Sequence, residues 1–230
     1  MNPINDYLGP IFEKIFAPLI EAGFIQFAYG GGDVGAYFTR HNLVDTIHIT
    51  GSARTHDAIV FGVGEEGEQH KRENQSIMNK PISSELGGVS PTIVVPGPWS
   101  KGDFKFQAEN IATQKLQNAG HNCIATQVLI MPKEWVGTEK LLQEVENKIA
   151  NTESRPAYYP GAVDRQNAAR EHANAKSLNC DVDRTIIYDV DALIDEPCFT
   201  DEYFGPVLTT VSLDGRSEEH TSELQSHLNL

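Results

Sequence analysis

Asn118-Ala-Gly-His-Asn-Cys123-Ile-Ala-Thr126 sets a single cysteine between a helix-like and a strand-like stretch. Upstream, Gln107-Ala-Glu-Asn-Ile-Ala-Thr-Gln-Lys-Leu116 has helix-forming composition, and downstream Gln127-Val-Leu-Ile-Met131 is a short apolar run that reads as a strand. A cysteine at such a junction sits on a constrained turn, where backbone N–H groups can face whatever its sulfur attacks. A thiolate nucleophile needs that geometry, because the oxyanion it creates must find donors within ~3 Å. A cysteine taken at random is a small buried residue. Cys123 is set apart by Ser84-Glu85-Leu-Gly-Gly88, a carboxylate in a glycine-flanked turn ahead of the apolar run Pro91-Thr-Ile-Val-Val95.

The chain has 230 residues, enough for one large domain or two small ones with a real core. A hydrophobic content of 40% without a long unbroken apolar run points to a soluble globular protein with no membrane span. No secretory signal is visible at the N-terminus. The three cysteines, Cys123, Cys180 and Cys198, are odd in number and unevenly spaced, which suits reduced thiols in the cytoplasm. A net charge of −14 argues against nucleic-acid or anionic-membrane partners, since both demand basic patches. No zinc-ligand spacing is present: His121 and Cys123 are two apart and Cys198 is remote.

Working outward, Leu8, Ile11, Phe12, Ile15, Phe16, Leu19 and Ile20 recur at three- and four-residue steps and predict one helix over 3–22, stopped by Gly23. A strand is expected over 24–29, then a glycine turn and a short helix through Arg40. That turn matches G-x-G-x-x-G at Gly30, Gly32 and Gly35, but the position of a ribose-binding acid falls in another turn, so it reads as a tight strand-to-helix turn. Residues 46–50 form the next expected strand; Gly51-Ser-Ala-Arg-Thr-His-Asp57 then opens a helix over 58–61. A glycine and a serine at a helix start supply free N–H groups, a hydroxyl and the positive dipole end, the parts of a phosphate site. Residues 62–81 read as a polar surface loop with a short strand before Lys80. Beyond Cys123 follow a strand over 126–131, a helix over 138–150, an alanine-rich helix over 165–175 and a strand over 184–189. Cys180 and Cys198 have no basic or carboxylate-bearing motif beside them and read as structural.

Four segments, in order, resemble the aldehyde dehydrogenase family. Ile49-Thr-Gly-Ser52 is similar to its coenzyme-phosphate turn, Glu85-Leu-Gly-Gly-Val-Ser-Pro91 to its catalytic-glutamate segment, Asn118 to Cys123 to its nucleophile segment, and Asp201-Glu-Tyr-Phe-Gly-Pro-Val207 to the segment that meets ribose and nicotinamide. The resemblance implies an α/β fold: part of a Rossmann-type coenzyme domain over 1–86 and an incomplete catalytic domain over 87–214. It implies Cys123 and Glu85 as catalytic residues, and Gly51, Ser52, Leu86, Gly87, Glu202 and Phe204 as contacts to NAD or NADP. The implied substrate is a small aldehyde and the implied full-length assembly a homodimer or homotetramer. Two positions depart from the family: His56 stands where a second glycine is usual, and His121 where a glutamine is frequent, able either to tune the thiol or to fill space.

In the family, the thiolate at the Cys123 position attacks the carbonyl to give a thiohemiacetal. Hydride loss leaves a thioester, and water activated at the Glu85 position releases the acid. A CoA-acylating reductase through the same thioester is the alternative, opposed by Glu85, because a deacylating base invites hydrolysis. A truncated, non-catalytic member of the fold is a further alternative. The family's coenzyme lysine and oxyanion asparagine belong ahead of Met1, so the expectation is the middle of a longer enzyme. Residues 215–230 break the family pattern and read as a non-native tail, similar to a translated sequencing-library adapter.

Overall fold

The computed structural model describes residues 3–153, 155–178 and 184–214. Cys180 and the expected tail, 215–230, lie outside the described residues. The chain divides into two units, Met1–Leu86 and Gly87–Leu230.

In the first unit, prolines cut the apolar-periodic opening into pieces. A 3-10 helix, Pro3–Leu8, is followed by α1 (Gly9–Ile15) and α2 (Ala17–Glu21), where periodicity alone predicts one continuous helix. Pro10 and Pro18 each occupy the first turn of their own helix, where a missing N–H is harmless but a preceding helix cannot run on. Gly23 ends the run with φ +80°, as a left-handed stop should. Residues 24–29 are not a strand: their composition suits one, but no described strand pairs with them.

Next come α3 (Gly32–Arg40), β1 (Ile47–Gly51), α4 (Ala53–Val60), α5 (Gly64–Arg72) and β2 (Ile82–Leu86). β1 and β2 are parallel, from Ile47 opposite Ile82 to Gly51 opposite Leu86, with α4 and α5 in the crossover. α4 starts earlier than expected because Ser52 caps it, its Oγ accepting from Thr55 N at 3.2 Å. α5 replaces the expected loop. It lacks an apolar stripe and buries only Gly67; Glu65 and Glu66 begin it and His70, Lys71 and Arg72 end it, as the helix dipole favours. Lys71 also donates to Asp57 of α4 at 2.7 Å.

The second unit contains β3 (Ser90–Ile93), α6 (Lys101–Leu116), β4 (Thr126–Pro132), α7 (Thr138–Asn151), α8 (Ala162–Arg170), β5 (Ala175–Ser177), β6 (Thr185–Ile187), α9 (Pro197–Thr200) and β7 (Val207–Leu213). The sheet order is β3-β4-β7-β6-β5, parallel throughout except for β5. Both faces are covered, so alternate residues of one strand enter different cores. Val128 and Ile130 of β4 join Ile187, Val207 and Val211 on the face of α8 and α9. Leu129 and Met131 join Ile186 and Leu208 beneath Phe104, Ala108 and Ile111 of α6 and Leu141, Val145 and Ile149 of α7. This explains the unbroken apolar run at 128–131.

α6 begins six residues before its expected start, at a capping box: Ser100 Oγ accepts from Asp103 N at 3.3 Å, and Asp103 Oδ2 accepts from Ser100 N at 2.7 Å. α8 ends five residues before its expected end, and Ala175 belongs to β5 instead. Arg184, 3% exposed, donates to the carbonyls of Ile149 and Thr152 at the carboxyl end of α7, a favourable place for a cation.

Candidate active site

Gly87-Gly88, Cys123 and Glu202 each lie a few residues ahead of a strand, and those strands, β3, β4 and β7, are adjacent and parallel. Parallel neighbours share their amino ends, so three segments far apart in sequence meet at one edge of the sheet. Ser90 Oγ donates to Cys123 O at 3.4 Å. A Cβ on Gly87 would meet the Glu202 carboxylate, so any side chain there would displace it.

The cysteine turn is built from left-handed backbone. Asn118, Ala119 and Gly120 have φ of 54°, 56° and 76°, which reverses the chain between α6 and β4. Asn118 suits such a conformation, and its side chain is used twice: Nδ2 donates to His121 O at 3.1 Å, and Oδ1 accepts from Tyr158 Oη at 2.9 Å. Asn122 Oδ1 accepts from Ile124 N at 3.0 Å and lies 3.8 Å from Cys123 Sγ. The result is a thiol that is exposed, on a turn braced from both sides. Cys198, by contrast, is fully buried, and burial pushes its thiol up to about 11.

Gly120 presses on the neighbouring loop. A Cβ there would lie 2.5 Å from the Gly205 carbonyl. Gly120→Ala is therefore expected to lower stability by roughly 2–5 kcal/mol, adding left-handed strain to overpacking against backbone. Urea unfolding measures this, and an unchanged midpoint would show that the turn relaxes freely.

Two further side chains fasten the Glu202 loop to the cysteine turn. Gln127, buried in β4, donates through Nε2 to Cys198 O at 3.1 Å and Asp201 O at 2.8 Å, and its Oε1 accepts from Tyr203 N at 2.8 Å. His121 Nδ1 donates to Phe204 O at 2.8 Å, which fixes its tautomer. Its ring sits among Tyr158, Tyr159 and Phe204, with centroids 4.9, 5.7 and 5.4 Å away. Burial above all holds this imidazole below its usual range. Through its bond to Phe204 O, His121 ties the cysteine turn to the Phe204 loop. Phe204 has φ 41° and packs on Tyr159 at 5.0 Å.

Glu202 feels the field of two cations. Burial raises its pKa, opposed by Lys115, by Arg165 and by the Gly88 N–H. Its Oε1 is buried without a hydrogen-bond partner. Lys115, in the last turn of α6, is 2% exposed, and burial pushes its ammonium down to about 7 against the pull of Glu202. Arg165 of α8 donates through Nε to Tyr203 O at 2.8 Å.

The expected site residues thus form one group in each unit. In the first, Gly51 is paired with Leu86 at the carboxyl end of the parallel pair, where open α/β sheets receive ligands, and Ser52 follows as the cap of α4. Glu85 is not in a turn: it lies within β2, opposite Thr50, and is exposed. Ladder pairing with β1 extends the strand up to the glycines. In the second unit, Gly87, Cys123, Glu202 and Phe204 share the amino edge of the sheet. Lys115, Gln127, Tyr158 and Arg165 escape sequence reading. Gln127 could have been found as the polar residue inside an apolar strand, and Lys115 as a cation three and four places after Ala112 and Ile111 on a buried face.

Fold and site define an α/β protein that presents a free thiol at the amino edge of a parallel sheet, with an unsatisfied carboxylate at the same edge. The model of the aldehyde dehydrogenase family matches residues 7–224, and the chain belongs to that family, a family of oxidoreductases. The match continues past residue 214 into the stretch expected to be foreign. Among curated relatives, the lactaldehyde dehydrogenase of Methanococcus maripaludis strain C7 is 24% identical over 228 residues, 92% of this chain and 45% of that protein. The D-glyceraldehyde dehydrogenase (NADP+) of Thermoplasma acidophilum is 26% identical over 183 residues, 75% of this chain and 34% of that protein. The chain thus spans less than half the length of these relatives. Solved structures of similar fold include an indole-3-acetaldehyde dehydrogenase in complex with NAD+ (22% identity, TM-score 0.65, 91% of this chain, 44% of the other). A second is the NADP-dependent glyceraldehyde-3-phosphate dehydrogenase of Bacillus halodurans C-125 in complex with NADP (18% identity, TM-score 0.64, 90% and 48%).

Proposed function

We propose that this chain is the thiol-bearing part of an NAD(P)-dependent aldehyde dehydrogenase, which oxidises an aldehyde to a carboxylic acid through a thioester on Cys123. The observation that carries the reading is the meeting of an exposed Cys123 and an orphaned Glu202 acceptor at one sheet edge. The Cys123 thiolate attacks the carbonyl carbon, and the π electrons move to oxygen, giving the thiohemiacetal as its alkoxide. Glu85 takes a proton from the water that attacks the resulting thioester, and the C–S bond breaks to return the thiolate.

The residues present fit a nicotinamide coenzyme. Glu202 Oε1 is a buried acceptor lacking a donor, as a ribose hydroxyl would supply. In the first unit, Gly51 and Ser52 offer the start of α4 to a phosphate. When bound, NAD or NADP supplies the acceptor for the hydride that the thiohemiacetal gives up. The similar structures that hold NAD+ and NADP support this coenzyme class.

The test is rapid mixing of the chain, extended to the length of its relatives, with a panel of short aldehydes and either coenzyme. The expected result is a burst of reduced coenzyme equal to the thiol content, with an acyl mass on the peptide holding Cys123. Coenzyme reduction with no acyl adduct on Cys123 would overturn the assignment.

A further inference from the structure

His121 joins the cysteine turn to the neighbouring loop in a way that leaves one ring nitrogen with nothing to bond. The residue is 5% exposed. Its Nδ1 donates to Phe204 O at 2.8 Å, so in the neutral ring Nε2 carries a lone pair and no proton. That Nε2 is buried and has no hydrogen-bond partner among the described residues. Aromatic rings stand around it: Tyr158, Tyr159 and Phe204, with centroids 4.9, 5.7 and 5.4 Å away. The hydroxyl proton of Tyr158 is already given to Asn118 Oδ1, at 2.9 Å.

An orphaned acceptor on a neutral ring costs little beside an orphaned donor that carries charge. Protonation would place a charged N–H where the structure provides no acceptor. Ring faces can offset part of a buried cation's cost, but Lys115 of α6 and Arg165 of α8 bear on this imidazole with like charge. The other titratable groups packed against it are Tyr158 and Tyr159, from the segment ahead of α8. The Phe204 loop adds the Glu202 carboxylate, which interacts with Lys115 and Arg165.

We propose that His121 is a pH-sensitive latch: when Nε2 gains a proton, the ring leaves its bond to Phe204 O and the Cys123 turn comes free of the Phe204 loop. The proton comes from solvent and returns there as the pH rises, so the change is reversible. Gln127 still fastens Asp201 and Tyr203 to β4, which confines the opening to the turn and the loop tip. A histidine kept neutral by the fold contributes stability that is present above its unfolded value, about 6.5, and is lost as the pH falls below it. The bearing of the latch on catalysis rests on the proposed role of Cys123 as nucleophile; the latch itself does not.

The test compares hydrogen exchange of the native chain and of His121→Asn at about pH 7.5 and about pH 5.5, corrected for intrinsic exchange. Asparagine puts an amide N–H where Nδ1 stood and cannot titrate. In the native chain, amides of the Cys123 turn and the Phe204 loop should exchange about five- to ten-fold faster at the lower pH. In His121→Asn the two corrected rates should agree. Equal rates in the native chain, or an acid increase that persists in His121→Asn, overturn the proposal. Should the variant fail to fold, the 15N signals of the native histidines decide. The His121 ring should hold the Nδ1–H tautomer and stay neutral at a pH where the same ring in urea has charged; a midpoint at or above the one in urea overturns the proposal. Acylation by p-nitrophenyl acetate, which needs no coenzyme, separates the latch from the nucleophile. Acid opening with acyl found on Cys123 supports both. Acid opening with no acyl on Cys123 at either pH supports the latch and overturns the nucleophile.

Discussion

Cys123→Ala is expected to remove acyl transfer altogether, lowering turnover by roughly 10⁶-fold, to background, as loss of a nucleophile does in other covalent mechanisms. The fold should barely notice. Cys123 is exposed, and its only described side-chain contact is the 3.8 Å approach to Asn122 Oδ1. Exposed substitutions of that kind change stability by about 0.5 kcal/mol or less. The bracing of the turn runs through Asn118, His121 and Tyr158, none of which bonds to the sulfur. Chemistry and stability therefore separate cleanly at this residue. Trapping the acylated protein and mapping the labelled peptide checks it. A label on Cys198, buried and with its thiol pushed up to about 11, would mean the core opens during the reaction, and the assignment would fall.

The second unit was legible in the sequence where one signal dominated. The run 127–131 announced a strand because both faces of β4 are covered and every residue there is apolar or locked. α7 was legible from Leu141, Val145 and Ile149, which are the residues that the core buries. Periodicity misled at the N-terminus, where Pro10 and Pro18 outweigh the apolar spacing. It was silent over α5, whose order comes from end charges and a contact to α4 rather than from a buried face. Short strands such as β5 exist only because a neighbour offers a ladder, which no local sequence can announce. At the candidate site, the Cys123 turn could be located from its motif, but not its supports. Tyr158 is 40 residues from Asn118, and His121 is 83 from Phe204, so these hydrogen bonds depend on strand order. Lys115 was hidden for a different reason: a lysine near a helix end reads as a dipole partner, and burial is a tertiary fact.

Glu85→Gln is expected to slow the steady rate by ~10²–10⁴-fold while sparing the first turnover. The substitution keeps the shape of the side chain and removes only its capacity to take a proton. Its backbone is secure, since Glu85 is held in β2 opposite Thr50, one residue before the pairing of Leu86 with Gly51. The side chain is exposed in its unit, so the change leaves no buried group unsatisfied and should not unfold the pair. A base that acts on water is needed only after the thioester exists. The first equivalent of reduced coenzyme should therefore form at its normal rate, and the thioester should then accumulate on Cys123. Rapid-mixing absorbance with acid-quench mass measurement of the adduct follows both events. A missing burst would place Glu85 earlier, in taking the proton from the Cys123 thiol. An unchanged steady rate would leave deacylation to another base and remove Glu85 from the mechanism.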